Sequence, residues 1–342
     1  MIRLSASLIQ KLDGTLAGLR SALQNALELE HSTIPPYLYA LYSIKPGENA
    51  EIAELTLSVV LEEMLHMSLA CNILNAIGGE PVIDTPSFVP TYPGHLPGSV
   101  QGGLIVGLAP LSLDVVNNTF MSIEEPEDPL VFPDVRMLAP AAAPTTIGQF
   151  YGKIAQQISE LSKKENIFTG SPSKQLLHWR PPLNKIAVTD EESALWAIET
   201  IVEQGEGTKT SPLDQGHELA HYYRFSEIVH GHKLVAQPGD PGYAYAGEVI
   251  AFDPTGVWPV ISNPVATAYP AGTRAALLND TFNYTYTSLL KSLHHMFNGE
   301  PSLLGTSIAL MESLKTQAFD LMSTEIAPGQ NAGPTFEYHP VL

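Results

Sequence analysis

The sequence predicts an all-α fold: a bundle of four helices with a long irregular crossover, followed by two further helices. Three observations carry this reading. Long segments repeat apolar residues at helical spacing, Pro- and Gly-rich stretches separate them, and carboxylates and histidines stand in the middle of the apolar segments. The third observation bears on function, because charge inside an apolar helix is costly unless it is paired or metal-bound.

The first helix covers about 15–43. Leu16, Leu19, Leu23, Ala26 and Leu27 form its apolar stripe, and Glu30 continues that stripe, four residues before Ile34. Glu28 falls beside Gln24, Asn25 and Ser32 on the polar side, so spacing selects Glu30 as the inward carboxylate. Pro35 and Pro36 remove amide donors and free carbonyls near His31 and Ser32, which predicts an interruption one turn beyond Glu30. After Lys45-Pro46-Gly47 a second helix, about 50–77, is apolar on most sides and ends at Gly78-Gly79. Glu62, Glu63 and His66 lie midway along it, among Val59, Val60, Leu65 and Met67.

Residues 80–185 read as an inserted crossover with small structure of its own. It contains a strand-like Leu104-Ile105-Val106, a short helix candidate over about 113–123, and a helix over about 145–163. That helix carries Ile147, Phe150, Tyr151, Ile154 and Ile158 at helical spacing. Thr189 and Glu192 suggest a capping box that opens the third bundle helix, about 190–204, with Glu199 and Glu203 one turn apart. A fourth bundle helix is expected over about 214–232. Residues 1–235 thus form the bundle, and 236–342 an extension whose helices, about 274–297 and 302–325, pack on it before an irregular tail.

Glu63-Met64-Leu65-His66 and Glu218-Leu219-Ala220-His221 are two copies of Glu-x-x-His, each preceded by a helical carboxylate, Glu30 or Glu203. Residues three apart on a helix face the same way, so each copy aims a carboxylate and an imidazole at one point. A carboxylate plus Glu-x-x-His, delivered twice, is the ligand set of two-metal four-helix bundles. The candidate ligands are therefore Glu30, Glu63, His66, Glu203, Glu218 and His221. Glu62, Glu199 and Glu206 stand in reserve, or as groups that orient the histidines. Glu30 lies 14 residues before Ile44 and Glu63 lies 13 after Ala50, so antiparallel helices set both at one height. The ligand types suit iron or manganese, with zinc also open, and do not separate them; availability favours iron.

His217-Glu218-Leu219-Ala220-His221 also matches the zinc-protease helix, with Glu218 as general base. The extended pattern would place Gly at 224 and His at 227, where this chain has Arg224 and Glu227, the latter an imaginable third ligand. That reading leaves Glu30, Glu63, His66 and Glu203 without a role. His178, His230 and His232 read as ordinary, and His294-His295 as a packing or surface pair, with a substrate contact as the sharper alternative. Tyr37, Tyr39, Tyr42, Tyr222 and Tyr223 flank the ligands and read as core, with substrate stacking or electron transfer as the sharper alternative.

A net charge of −19 argues against nucleic acid or an anionic membrane as partner. No apolar run approaches membrane-spanning length by inspection, and Met1 to Gly14 shows no basic region leading into an apolar core. Cys71 is the single cysteine, which excludes an intrachain disulfide and a thiolate cluster. A cytoplasmic protein is the expectation.

With these residues assembled, a resemblance emerges. Leu27-Glu28-Leu29-Glu30-His31-Ser32-Thr33-Ile34-Pro35-Pro36-Tyr37-Leu38 resembles the opening motif of a ferritin-like family. So do Glu62-Glu63-Met64-Leu65-His66-Met67, Val202-Glu203-Gln204-Gly205-Glu206-Gly207 and His221-Tyr222-Tyr223-Arg224-Phe225, and the likeness covers about 15–232. The family includes the ferritin-like region of iminophenylpyruvate dimer synthases from violacein- and rebeccamycin-type pathways. The resemblance implies metal positions at Glu30, Glu63, His66, Glu203 and His221, with Glu218 carried over least directly. It also implies oxidative coupling of amino-acid-derived imines. The chain is far shorter than the full multi-region synthases, which implies a stand-alone relative with a substrate of its own.

The expected function is a di-metal oxidoreductase, with two iron ions, using O₂ or peroxide on a small organic substrate. The alternatives are an iron-handling or peroxide-removing protein, a zinc hydrolase built on His217 to His221, and a structural bundle with a vestigial site. Partners left open are a second copy of the chain and a reductase or pathway enzyme.

Overall fold

A computed structural model describes residues 12–97, 104–126, 129–130, 147–180, 185–208, 211–239 and 241–340. Residues 1–11 at the N-terminus, and 145–146 at the expected start of the crossover helix, lie outside them. Helix α1 (Leu16–Tyr42) and α2 (Ala50–Ala76) form the central hairpin. The short α3 consists of α-helical Leu113–Val115, a π turn Val116–Phe120 and α-helical Met121–Glu124. Then follow α4 (Ile147–Ser162), α5 (Glu191–Glu206) and α6 (His221–His230). A β1–β2 hairpin (His232–Ala236, Tyr243–Val249) precedes α7 (Arg274–Phe297) and α8 (Leu304–Met322), and a small β3–β4 pair (Glu325–Ala327, Gln330–Asn331) follows. The architecture is an all-α helical bundle in which strands are confined to these two small hairpins among the described residues.

Four long helices close a ring: α1 packs on α2, α2 on α5, α5 on α4, and α4 back on α1. The helix expected inside the crossover therefore forms one wall of the bundle. Its apolar face is the reason: Phe150, Tyr151, Ile154, Ile158 and Leu161 are all buried. The fourth bundle helix expected at 214–232 is shorter, Glu218 precedes it in a loop, and α6 packs instead against α3, the middle of α2, and α5.

α1 runs unbroken through Pro35 and Pro36. Pro36 cannot donate to the Ser32 carbonyl, and Tyr92 takes that carbonyl with its hydroxyl at 2.6 Å. α2 ends where Gly78 adopts φ +72°, and Arg20 from α1 donates to the Ile77 carbonyl at 3.0 and 2.6 Å. By length and composition α2 is apolar enough to cross a membrane, contrary to the reading by inspection. In the fold it is a core helix, with most of its apolar stretch covered by protein. The cap of α5 is Asp190 with Ser193, one residue on from the expected Thr189 and Glu192.

Asn72 ties the connection between α4 and α5 onto α2. Its amide donates to the Leu176 and Ile186 carbonyls at 2.8 Å each, and its oxygen accepts from Leu176 N at 3.1 Å. Asn72→Ala leaves three buried backbone groups unpaired and is expected to destabilise by about 3 kcal/mol, measured by denaturant unfolding.

The C-terminal helices pack as a hairpin, α7 touching α2 and α8 touching α1. The tail is irregular as expected but buried from Ala332 to Phe336. Thr335 there accepts hydrogen bonds from Asn279 and Asn283.

Candidate metal centre

Four elements bring chemistry to one point inside the bundle. Glu30 comes from the middle of α1, and Glu63 and His66, three residues apart, from the middle of α2. Glu124 is the last residue of α3 and His221 the first of α6, and all five side chains are buried. Glu124 is fixed by the π turn before it. Phe120 in that turn packs between Tyr37 of α1 and Phe225 of α6, with ring centroids at 4.7 and 5.2 Å.

The five residues make two overlapping groups, Glu30–Glu63–His66 and Glu63–Glu124–His221, each with its ligand atoms within 4.8 Å of one another. Glu63 belongs to both. His66 Nδ1 lies 3.7 Å from both Glu30 Oε2 and Glu63 Oε1, while His221 Nδ1 lies 2.9 Å from Glu63 Oε1 and 3.5 Å from Glu124 Oε2. The two imidazoles are stacked with centroids 5.3 Å apart.

Each outer nitrogen is held from behind. His66 Nε2 pairs with Gln204 Oε1 at 3.0 Å, and His221 Nε2 with Glu62 Oε2 at 3.1 Å. These acceptors take the Nε2 proton and turn Nδ1 inward as the nitrogen available to an ion. Arg224 braces Glu62 at 3.0 Å and also bonds the Leu219 carbonyl. The carboxylates are positioned by hydroxyls: Tyr151 donates to Glu30 at 2.5 Å, Thr33 to Glu63 at 2.9 Å, and Tyr37 to Glu124. Tyr151→Phe keeps the ring and removes one of these donors. It is expected to weaken metal binding at least about tenfold, measured by chelator competition.

The electrostatics favour cations. Burial, reinforced by Glu124, pushes the Glu63 carboxyl up to about 7. Burial alone would suppress charge on His221, but Glu124, Glu62 and Glu63 outweigh it and hold the imidazole well above its usual value. Burial acts against Glu62 as well, yet the hydrogen bonds and charges of His221 and Arg224 bring it down to about 2. The pocket thus draws positive charge, which protons or metal ions can supply. Among the described residues His221 Nδ1 is buried and outside hydrogen-bond geometry with any partner, while facing two carboxylates. A buried imidazole nitrogen facing carboxylates, whose proton an ion would replace, fits a metal ligand, so the donor set suits two divalent ions sharing Glu63.

The structure brings Glu30, Glu63, His66 and His221 together and leaves two expected ligands outside. Glu218 is exposed in the loop before α6, its amide bonded to Asp214, so the second Glu-x-x-His does not share a helix face. Glu203 accepts from the backbone and side chain of Gln215 at 3.2 Å each and faces a different cavity. Glu206, one turn later on α5, lines the metal pocket instead, and its Oε1 accepts from Gly148 N at 2.9 Å. The zinc-protease arrangement does not form either. His217 is exposed at φ +65°, and Glu227 is engaged by Leu234 N and Lys233. Glu124 was missed by sequence reasoning. It has no histidine three residues on and stands in a Pro/Gly-rich crossover, with only the apolar Met121 and Ile123 before it to mark an inward turn.

A buried pocket of carboxylates and imidazoles between the helices of an antiparallel bundle defines a class, the helical bundles with side chains that could hold a metal at their centre. The Ferritin-like family model matches residues 23–230, and the chain belongs to that family. A ferritin-like protein from Caulobacter vibrioides, known from its crystal structure, shares the fold. Its TM-score is 0.59 and its identity 24%, covering 94% of this chain and 97% of that one. Dichlorochromopyrrolate synthase from Lentzea aerocolonigenes is 24% identical over 379 residues, covering 94% of this chain. The chain spans about a third of that enzyme's length, 36%.

Proposed function

We propose that the protein is a di-metal, di-iron oxidoreductase that uses O₂ or peroxide on a small organic substrate. The observation that carries this reading is the pair of overlapping ligand groups joined at Glu63. Glu30, Glu63 and His66 would hold one ion, and Glu63, Glu124 and His221 the other. Two such ions, when bound, would supply the electrons for reduction of O₂ or peroxide. The residues around them do the rest. Tyr151, Thr33 and Tyr37 fix the carboxylates, and Gln204 and Glu62 fix the imidazoles. Leu29, Ile123, Ile147, Ile201 and Val202 line a cavity of about 30 Å³ beside the carboxylates, room for one molecule the size of water or O₂.

The likeness to a synthase supports an organic substrate, in keeping with oxidative coupling of amino-acid-derived imines. A cytoplasmic setting, a reductase or pathway enzyme as electron source, and self-association complete the proposal. Anaerobic loading with Fe(II) followed by exposure to O₂ tests it. Rapid O₂ consumption that increases with an added imine supports the oxidoreductase. Slow consumption indifferent to organic additives would shift the reading to iron handling.

Metal uptake should depend on pH. Glu63 keeps its proton up to about pH 7, so a metal ion has to displace it, and affinity falls as pH drops below that value. Chelator-competition titrations at pH 6 and pH 8 should show the weaker binding at pH 6.

A further inference from the structure

A second cavity, of about 380 Å³, lies outside the metal pocket, on the far side of Glu62 and Gln204. That volume is within the range of sites for small organic molecules. Leu65, Trp179 and Trp196 supply its apolar lining, and both indoles are only partly buried.

Charge around the cavity is one-sided. Glu62 is already paired with Arg224 and His221. Glu199, Glu203, Asp214 and Glu218 also line it, and among the described residues none of these four is paired with a lysine, arginine or histidine. Among the described residues Arg180 is the single cation in the lining. Two of the carboxylates are held in place: Glu203 accepts from Gln215 N and Nε2, and Asp214 accepts from Glu218 N. An anionic ligand is disfavoured by this excess of carboxylates. A cation with an apolar body would set that body against the leucine and indoles and its charge among the carboxylates. Tryptophan faces add cation–π attraction.

We propose that this cavity is a binding site for a small organic ammonium ion, an amine with an aromatic or apolar body. Glu203 and Glu218, which the sequence pattern suggests as metal ligands, then serve the ammonium group. Glu62 and Gln204 separate the amine from the metals, so binding does not require a metal ion.

The probe is 2-phenylethylamine, titrated into metal-depleted and metal-loaded protein and followed by tryptophan fluorescence, with calorimetry alongside. Trp179 and Trp196 are two of the three tryptophans, so occupancy is read directly. The expected result is saturable binding to both forms, weakened by added salt and at least about tenfold tighter than that of neutral 2-phenylethanol, with phenylacetate weaker still. Glu203→Gln and Trp196→Ala should each weaken the amine about fivefold or more while far-UV circular dichroism stays unchanged. Equal binding of the alcohol or of phenylacetate, unaltered affinity in both variants, or no saturable amine binding by cooperatively folded wild type would overturn the proposal. Because the metal-depleted protein is tested, failure here is separable from failure of the two-metal reading.

Discussion

Glu63→Ala is expected to abolish binding of both metal ions, whereas Glu30→Ala and Glu124→Ala should each abolish one. The asymmetry follows from geometry. Glu63 is common to the two ligand groups, while Glu30 and Glu124 each belong to one. Glu203→Ala and Glu218→Ala should retain both ions, since neither carboxylate is in either group. Glu28→Ala should be equally silent, because Glu28 bonds Gln24 on the outer side of α1. Metal per chain, measured by elemental analysis after gel filtration, decides each case. Two ions retained by Glu63→Ala would remove the shared carboxylate from the account.

Metal loading should raise Tm by about 10–15 °C. Two sites filled at a thousandfold excess over Kd stabilise by roughly 8 kcal/mol, and a protein of this size gains roughly 2 °C per kcal/mol or less. The gain should be larger at pH 8 than at pH 6. The folded pKa of Glu63 is raised to about 7, above its unfolded value, so its stabilising effect is lost as pH rises through 7 in the metal-depleted protein. His66 is raised too: burial lowers it, but Glu30 and Glu63 prevail, so its contribution falls with rising pH in the same sense. His31 acts the other way. Burial lowers it to about 3, and its neutral form costs stability as pH falls below 6.5. That contribution is common to loaded and depleted protein and largely cancels in the difference. Scanning calorimetry at the two pH values, with and without chelator, measures the shift. A gain independent of pH would mean that ions bind without displacing protons from these groups.

Much of the fold was legible because helical periodicity is a local signal. The stripe through Leu19, Leu23, Ala26 and Leu27 predicted α1 and the inward side of Glu30, and both are buried in the bundle. Glu63 and His66 followed from their spacing on α2. Assigning walls to helices needed tertiary information: α4 was recognisable as amphipathic, but its place in the ring depends on which partner covers Phe150 and Ile154. The second half of the site was hard for a related reason. His221 starts α6 rather than sitting within it, so the three-residue spacing to Glu218 spans a loop and aligns nothing. Its partner Glu124 arrives from nearly a hundred residues earlier in the chain, through a π turn that no local pattern announces. On α5 the choice between Glu203 and Glu206 turned on the helix's rotation, since both lie in its last turns and face different cavities.

On the proposed function, Glu30, Glu63, His66, Glu124 and His221 would hold two redox-active ions. The most direct test is elemental analysis of gently purified protein, with stoichiometry confirmed by anaerobic Fe(II) or Mn(II) titration. Close to two iron or manganese ions per chain is the predicted result. One zinc per chain, or no metal retained after reconstitution, would contradict it.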